Sequence, residues 1–287
     1  MENLTNIKTI RELLDRHGFR FSKALGQNFI INPGICPHMA EASGADEGVG
    51  VLEIGPGLGV LTTQLARLAT KVVSIELDAR LLPVLEETLA DCPNTKVIHG
   101  DALKVDLHKL IAEEFAGLRV VVCANLPYYV TSPILMRLLE ERLPVDTITV
   151  MVQKEAATRI CAPLPSREAG AVTVAVHYYA KPEILFGVSK GSFMPAPNVD
   201  SSVIRLEVRP EPPVQGIDEA LFFSVVKGAF SQRRKTLLNC MAAHFRLEKS
   251  AITSAMEQAG IAPSTRAEQL SIEDFARLTT AMSALVA

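Results

Sequence analysis

Tryptophan is absent from the 287 residues, and all aromatic residues together make up only 5%. The apolar residues, 48% of the chain, are mainly aliphatic, which suits Val/Ile strands covered by Leu/Ala helices. Cysteine is sparse: Cys36, Cys92, Cys123, Cys161 and Cys240, with no CxxC pair among them. An odd, widely spaced set argues against a disulfide framework and against a zinc site, and for a reducing cytoplasm. No metal is expected. Long apolar runs are also missing. Stretches such as Val120–Ala124 fall far short of the roughly 20 residues a membrane helix needs. The N-terminal MENLTNIKTIRELLDRHG is charged and amphipathic and has no signal-peptide apolar core. Neither a membrane partner nor secretion is expected. Finally, there is no excess of positive charge: 29 basic against 32 acidic side chains leave −3. Any nucleic acid must be held by a local patch, not by the global field.

What the chain does have is alternation. Short aliphatic runs recur at Val49–Ile54, Lys71–Ile75, Lys96–His99, Val120–Ala124 and Thr147–Val152. Helical patterns at Leu58–Leu68, Ala79–Ala90, Asp106–Phe115 and Ser132–Glu141 separate them. Strand and helix in strict alternation predict an α/β fold with a parallel sheet. Ser132–Pro133 suits a helix start, as cap and first-turn proline. In such sheets ligands sit at the carboxyl ends of the strands. Two further strands are expected at Ala171–Ala180 and Val203–Val208. RPEPP, Arg209–Pro213, then breaks the chain. Four helices are expected beyond it, at Asp218–Phe230, Lys235–His244, Glu248–Ala259 and Ile272–Leu285. These patterns divide the chain into residues 1–209, with 1–45 as an N-terminal helical extension, and a small all-helical piece, 210–287. No internal repeat or low-complexity tract is present.

Charge is unevenly spread. Residues 41–115 hold 13 acidic and 6 basic side chains, whereas residues 1–28 hold 5 basic and 3 acidic. The piece from Pro210 onward is balanced at 8 against 8, with its positive charge concentrated in Ser231-Gln-Arg-Arg-Lys235.

Three successive strand ends carry candidate ligand contacts. The first is Glu53-Ile-Gly55-Pro-Gly57-Leu-Gly59, between a strand and a helix. Glycines let the backbone turn and approach a ligand. The spacing departs from the dinucleotide pattern because Val60 stands where the last glycine belongs. The second is Glu76, whose carboxylate can accept from two ribose hydroxyls. The third is Asp101, which can accept from an adenine amino group. No P-loop Lys is present, and this region is acidic. A cationic, phosphate-free adenosine compound fits it, and S-adenosylmethionine is such a compound.

The fourth strand ends in Asn125-Leu126-Pro127-Tyr128. An exocyclic amine has its lone pair delocalised into the ring. The Asn125 side-chain oxygen and the Leu126 carbonyl can hold its N–H groups and steer the lone pair toward a methyl donor. Tyr128 offers a face for a flipped-out base. Asn and Pro also favour plain turns. The six histidines are scattered, and no role is assigned to them.

These motifs resemble those of the ribosomal RNA adenine dimethyltransferases, in particular the bacterial enzymes of the small subunit. The matching stretches are Lys23-Ala-Leu-Gly-Gln-Asn-Phe29, Glu53–Gly59, Glu76, Gly100-Asp-Ala102, Asn125–Ser132, Phe193-Met-Pro-Ala-Pro-Asn-Val-Asp-Ser201 and Ala229-Phe-Ser-Gln-Arg-Arg-Lys-Thr-Leu237. They span most of the chain. The resemblance implies a Rossmann-like S-adenosylmethionine-dependent methyltransferase sheet with a small all-helical C-terminal domain that binds RNA. It implies N6-dimethylation of two adjacent adenosines near the 3′ end of 16S ribosomal RNA during ribosome biogenesis. It places Asn28, Ile30, Gly55, Gly57, Glu76, Asp101 and Asn125 at cofactor positions. Ile30 stands where the family often has Leu. Phe193 falls where the target base stacks opposite Tyr128. Arg233, Arg234 and Lys235 are expected to contact phosphates, which position RNA without reading its sequence. The expected partner is small-subunit RNA within a pre-ribosomal particle, bound by a monomer in the cytoplasm. Two competing readings are an oxidoreductase with a nucleotide cofactor, against which Val60 and Asn125–Tyr128 both count, and an assembly factor in which methyl transfer is secondary.

Overall fold

The computed structural model describes residues 4–21 and 26–286. Its elements in chain order begin with α1 (Ile7–Arg16), β1 (Phe29–Ile30), α2 (Ile35–Ala42), β2 (Val49–Ile54), α3 (Val60–Leu68) and β3 (Lys71–Glu76). There follow α4 (Leu82–Thr88), β4 (Thr95–His99), α5 (Leu107–Glu114), β5 (Arg119–Asn125), α6 (Thr131–Glu140), β6 (Thr147–Gln153) and α7 (Lys154–Ile160). The rest are α8 (Ala171–Tyr179), β7 (Ala180–Val188), β8 (Phe193–Met194), β9 (Ser201–Val208), α9 (Glu219–Ala229), α10 (Leu237–Phe245), α11 (Lys249–Gln258) and α12 (Ile272–Val286).

Seven strands form one mixed sheet in the order β4-β3-β2-β5-β6-β9-β7. The five from β4 to β6 run parallel, and β9 pairs antiparallel with β6. The central strand β2 is buried at every residue, as a parallel strand covered on both faces must be. A second, two-stranded sheet pairs β1 with β8, setting Ile30 opposite Phe193.

The chain divides into two compact units: Met1–Ala157 with Pro182–Val208, and Thr158–Lys181 with Arg209–Ala287. The first holds the parallel strands. The second packs α8 with α9–α12 around aromatic side chains. Phe222 and Phe275 are fully buried. The Tyr178 and Tyr179 hydroxyls donate to the two carboxylate oxygens of Glu219 at 3.1 and 2.9 Å. Glu219 sits in the first turn of α9, where negative charge complements the free N–H groups.

One sequence expectation is corrected. Ala171–Tyr179 is helix α8, not a strand. The segment AVTVAVHYY is rich in β-branched and aromatic residues, and a short, nearly all-apolar run has no periodicity to separate strand from helix. Tertiary packing decided. Thr173 Oγ1 accepts from the Gly170 N–H at 2.9 Å and donates to the Arg159 carbonyl at 2.7 Å, which fixes the helix start. The strand begins at Ala180, where the helix ends. Its Pro182 suits the edge position that β7 occupies in the sheet. Among the described residues, no helix is long and apolar enough to cross a membrane.

Candidate active site

Because β4, β3, β2 and β5 are neighbours in that order, their carboxyl ends lie side by side. Chemistry-bearing residues spread along the sequence thereby meet around one cavity. Asn28, Ile30, Gly55, Gly57, Glu76, Asp101, Asn125, Leu126, Pro127, Tyr128 and Phe193 all line it. Arg233, Arg234 and Lys235 belong to the other unit, in the turn between α9 and α10. All three are exposed, and none makes an ion pair with a described residue. Lys23, Ala24 and Leu25 of the first matching stretch lie outside the described residues.

The glycine loop has the backbone that its sequence requires. Gly57 has φ of +59°, and a Cβ there would press on the Phe29 ring at 3.4 Å. Gly59 has φ of +83° and caps α3, and a Cβ there would sit 3.0 Å from Leu89. An L side chain strains either position. The loop is tied to the next strand by the Gly55 N–H donating to the Ile75 carbonyl at 2.9 Å.

Glu76 ends β3 almost fully buried. Burial pushes its carboxyl up, opposed by backbone N–H groups of Asp78, Gly57 and Leu77 that donate to it. The Asp78 N–H lies 2.7 Å from Glu76 Oε1. Asp101 Oδ1 accepts from the Leu103 N–H at 2.9 Å, so its turn presents a shaped carboxylate. At the end of β5 the Leu126 N–H is used by the Met151 carbonyl at 3.3 Å. The Pro127 carbonyl accepts from the Val130 N–H at 3.1 Å and from Thr131 Oγ1 at 3.2 Å. The Asn125 side chain makes no hydrogen bond to a described residue. Tyr128 is half-buried, and its hydroxyl shares a 2.6 Å hydrogen bond with Ser201 Oγ at the start of β9. Burial raises the Tyr128 phenol. Phe193 lines the cavity with only 4% of its surface exposed.

A model of the family described as ribosomal RNA adenine dimethylase matches residues 18–283. The chain belongs to the ribosomal RNA adenine dimethylase family. This dimethylase is 49% identical over 280 residues to the ribosomal RNA small subunit methyltransferase A of Geobacillus thermodenitrificans, which covers 96% of this chain and 95% of the relative. It is 50% identical over 273 residues to the protein of that name from Shouchella clausii, covering 94% and 92%. Its structure is similar to that of a dimethyladenosine transferase from Plasmodium falciparum, with TM-score 0.74 and 25% identity over 89% of this chain and 98% of that one. It is also similar to the 23S rRNA methyltransferase ErmE, with TM-score 0.67 and 26% identity over 88% and 99%. The dimethylase is a methyltransferase, and its cofactor is S-adenosylmethionine.

The cavity fits that cofactor. Glu53, Glu76 and Asp101 line it, and no Lys or Arg does among the described residues. Such a wall favours a cation and disfavours a diphosphate. None of the six histidines lines it, and among the described residues no group of His, Cys, Asp and Glu could hold a metal ion.

Glu53 is the cavity residue that motif reasoning passed over. It is 1% exposed. Thr62 Oγ1 and Ser74 Oγ donate to its Oε2 at 2.7 and 2.6 Å. Its Oε1 is buried with no partner among the described residues. Burial pushes the carboxyl up to about 7, with Glu76 adding to the rise and the two hydroxyls opposing it. The available signal was a lone acid inside the apolar strand VGVLEI, since acids are almost never fully buried without purpose. The pairing of β1 with β8 was also missed. It brings Ile30 to Phe193, and no local pattern links segments so far apart.

Proposed function

We propose that this protein transfers methyl groups from S-adenosylmethionine to N6 of two adjacent adenosines near the 3′ end of 16S ribosomal RNA. One observation carries the reading. The Gly55–Gly59 loop, Glu76, Asp101 and the Asn125–Tyr128 turn converge on a single cation-compatible cavity at adjacent strand ends. The names of the relatives and the family support the RNA target.

In this reading Glu76 accepts from the cofactor's ribose hydroxyls and Asp101 from its adenine amino group. Gly55 and Gly57 let the chain pass close to it, and Asn28 and Ile30 form the opposite wall. The bound cofactor supplies an electrophilic methyl carbon on a sulfonium. Asn125 Oδ1 and the Leu126 carbonyl accept the N–H groups of the target amine. That turns the nitrogen lone pair toward the methyl and stabilises the positive charge that nitrogen gains. Pro127 fixes the turn that aims both oxygens. Tyr128 and Phe193 flank the base, with the Tyr128 ring held by its bond to Ser201. A proton leaves the nitrogen afterwards, so no strong base is required. Phe193 is largely covered, so a stacking role requires the base to enter beside it and not above an open ring.

Arg233, Arg234 and Lys235 contact RNA phosphates, and the unit that carries them serves as the RNA-binding domain. The enzyme acts in the cytoplasm as a monomer on a pre-ribosomal small subunit. Incubating small-subunit RNA with isotopically labelled cofactor, followed by mass spectrometry of RNA fragments, tests the proposal. Two neighbouring N6,N6-dimethyladenosines are expected. Label on another base, or no label, overturns it.

A further inference from the structure

Asp78 stands outside the cavity wall, yet it joins two parts of it. It lies in the turn between β3 and α4, with a side chain 6% exposed. Its backbone N–H holds Glu76 Oε1 at 2.7 Å. Its Oδ2 accepts from Gln27 Nε2 at 2.8 Å and from Arg80 Nη2 at 2.6 Å. Oδ1 accepts from Arg80 Nε at 2.8 Å and from the Arg80 backbone N–H at 3.1 Å. Arg80 in turn lies 5.0 Å above the Phe19 ring and donates to the Arg20 carbonyl at 3.4 Å. Phe19 and Phe21 pack on Phe29, with ring centroids 6.2 and 5.4 Å away. A single turn thus grips the N-terminal chain at Phe19–Arg20 and at Gln27, immediately before Asn28.

We propose that the Gln27–Asp78–Arg80 clasp is a positioning device for the cofactor, in which Asp78 sets Glu76 and the N-terminal wall in one arrangement. This rests on the reading of Glu76 and Asn28 as cofactor contacts. Hydrogen bonds to a charged acceptor are the strong ones, and Asp78 accepts them from the nearby Arg80 guanidinium and from the neutral amide of the distant Gln27. A wall held in place before the ligand arrives lowers the ordering cost of binding. Whatever the clasp contributes to holding the wall therefore appears as cofactor affinity.

Calorimetric titration with S-adenosylhomocysteine tests this without turnover. Gln27→Ala is expected to weaken binding about tenfold, the scale of one hydrogen bond to a charged group. In a double-mutant cycle, Gln27→Ala is expected to add less than about threefold once Asp78→Ala is present, because the Gln27–Asp78 link is already gone. Affinity for RNA, read by gel shift, stays at the wild-type value in Gln27→Ala. If Asp78→Ala does not fold, Asp78→Asn takes its place in the cycle. Wild-type affinity in Gln27→Ala, or fully additive losses, overturns the clasp. A Glu76→Ala protein that binds as tightly as wild type overturns the underlying site reading instead.

Discussion

The strand-end cavity and the Ser231–Lys235 turn are built on opposite principles. In the cavity, charge is acidic and mostly buried, and several of the polar groups are held by the fold. Glu76 is fixed by backbone N–H groups, Tyr128 by Ser201, and the glycine loop by β3. In the turn, charge is basic and exposed, and Arg233, Arg234 and Lys235 have no ion-pair partner among the described residues. The first arrangement selects a ligand by shape and hydrogen bonding in a low-dielectric wall. The second fits the proposed RNA contact, because exposed, unopposed cations attract a polyanion by charge. The contrast teaches that a net charge of −3 says little about RNA binding. What counts is where the cations stand unopposed.

Four measurements break or sharpen this contrast. The largest effect is expected for Asn125→Ala. In the proposed mechanism it removes one of two oxygens that orient the amine, and methyl transfer should fall by roughly 100-fold or more. RNA affinity, measured by gel shift, should not change. Transfer at the wild-type rate would remove Asn125 from the chemistry. Next comes the buried acid. The Glu53 carboxyl titrates near 7 in the fold, above its ordinary value of 4.5. A raised carboxyl pKa means the folded state binds the extra proton. Its stabilising effect is complete below about 4.5 and is lost as pH climbs through about 7. Wild type should therefore lose up to about 3 kcal/mol relative to Glu53→Gln between pH 5 and pH 8. Denaturant melts at the two pH values measure this. Parallel curves would mean Glu53 is ionised throughout.

A smaller and differently shaped effect is expected in the turn. Replacing Arg233, Arg234 and Lys235 together by Ala should lower the slope of log affinity against log salt by about 2–3, one counterion release per lost contact. Cofactor affinity should stay fixed. An unaltered slope would take this turn out of the RNA interface. The smallest effect belongs to Tyr128→Phe, which keeps the ring but loses the 2.6 Å bond to Ser201. One neutral hydrogen bond is worth about 1 kcal/mol, so the transfer rate should drop by no more than roughly fivefold. A Tyr128→Ala protein should lose far more if the ring face is what the base uses.

Much of this is legible in the sequence. The five parallel strands and the loops that end them follow from aliphatic runs alternating with helical patterns. Gly55 and Gly57 answer a local backbone need, since both have positive φ. Harder to read were features made by contact between distant segments. The nearly all-apolar AVTVAVHYY reads equally as strand or helix, and only its packing selects helix α8. The β1–β8 pairing and the hold of Asp78 on Gln27 join residues with no sequence relation.

The amino-acid order alone therefore determined the parallel core, the position of its ligand-bearing ends and the absence of cations among the cavity's strand-end motifs, since periodicity, turn chemistry and charge are local properties. The tertiary structure decided which carboxylate is buried and pushed up to about 7, which ring is covered, and how Asp78 ties the N-terminal chain to the Glu76 turn. Those outcomes depend on burial and on partners supplied from elsewhere in the chain, and dielectric environment exists only once the chain has closed around itself.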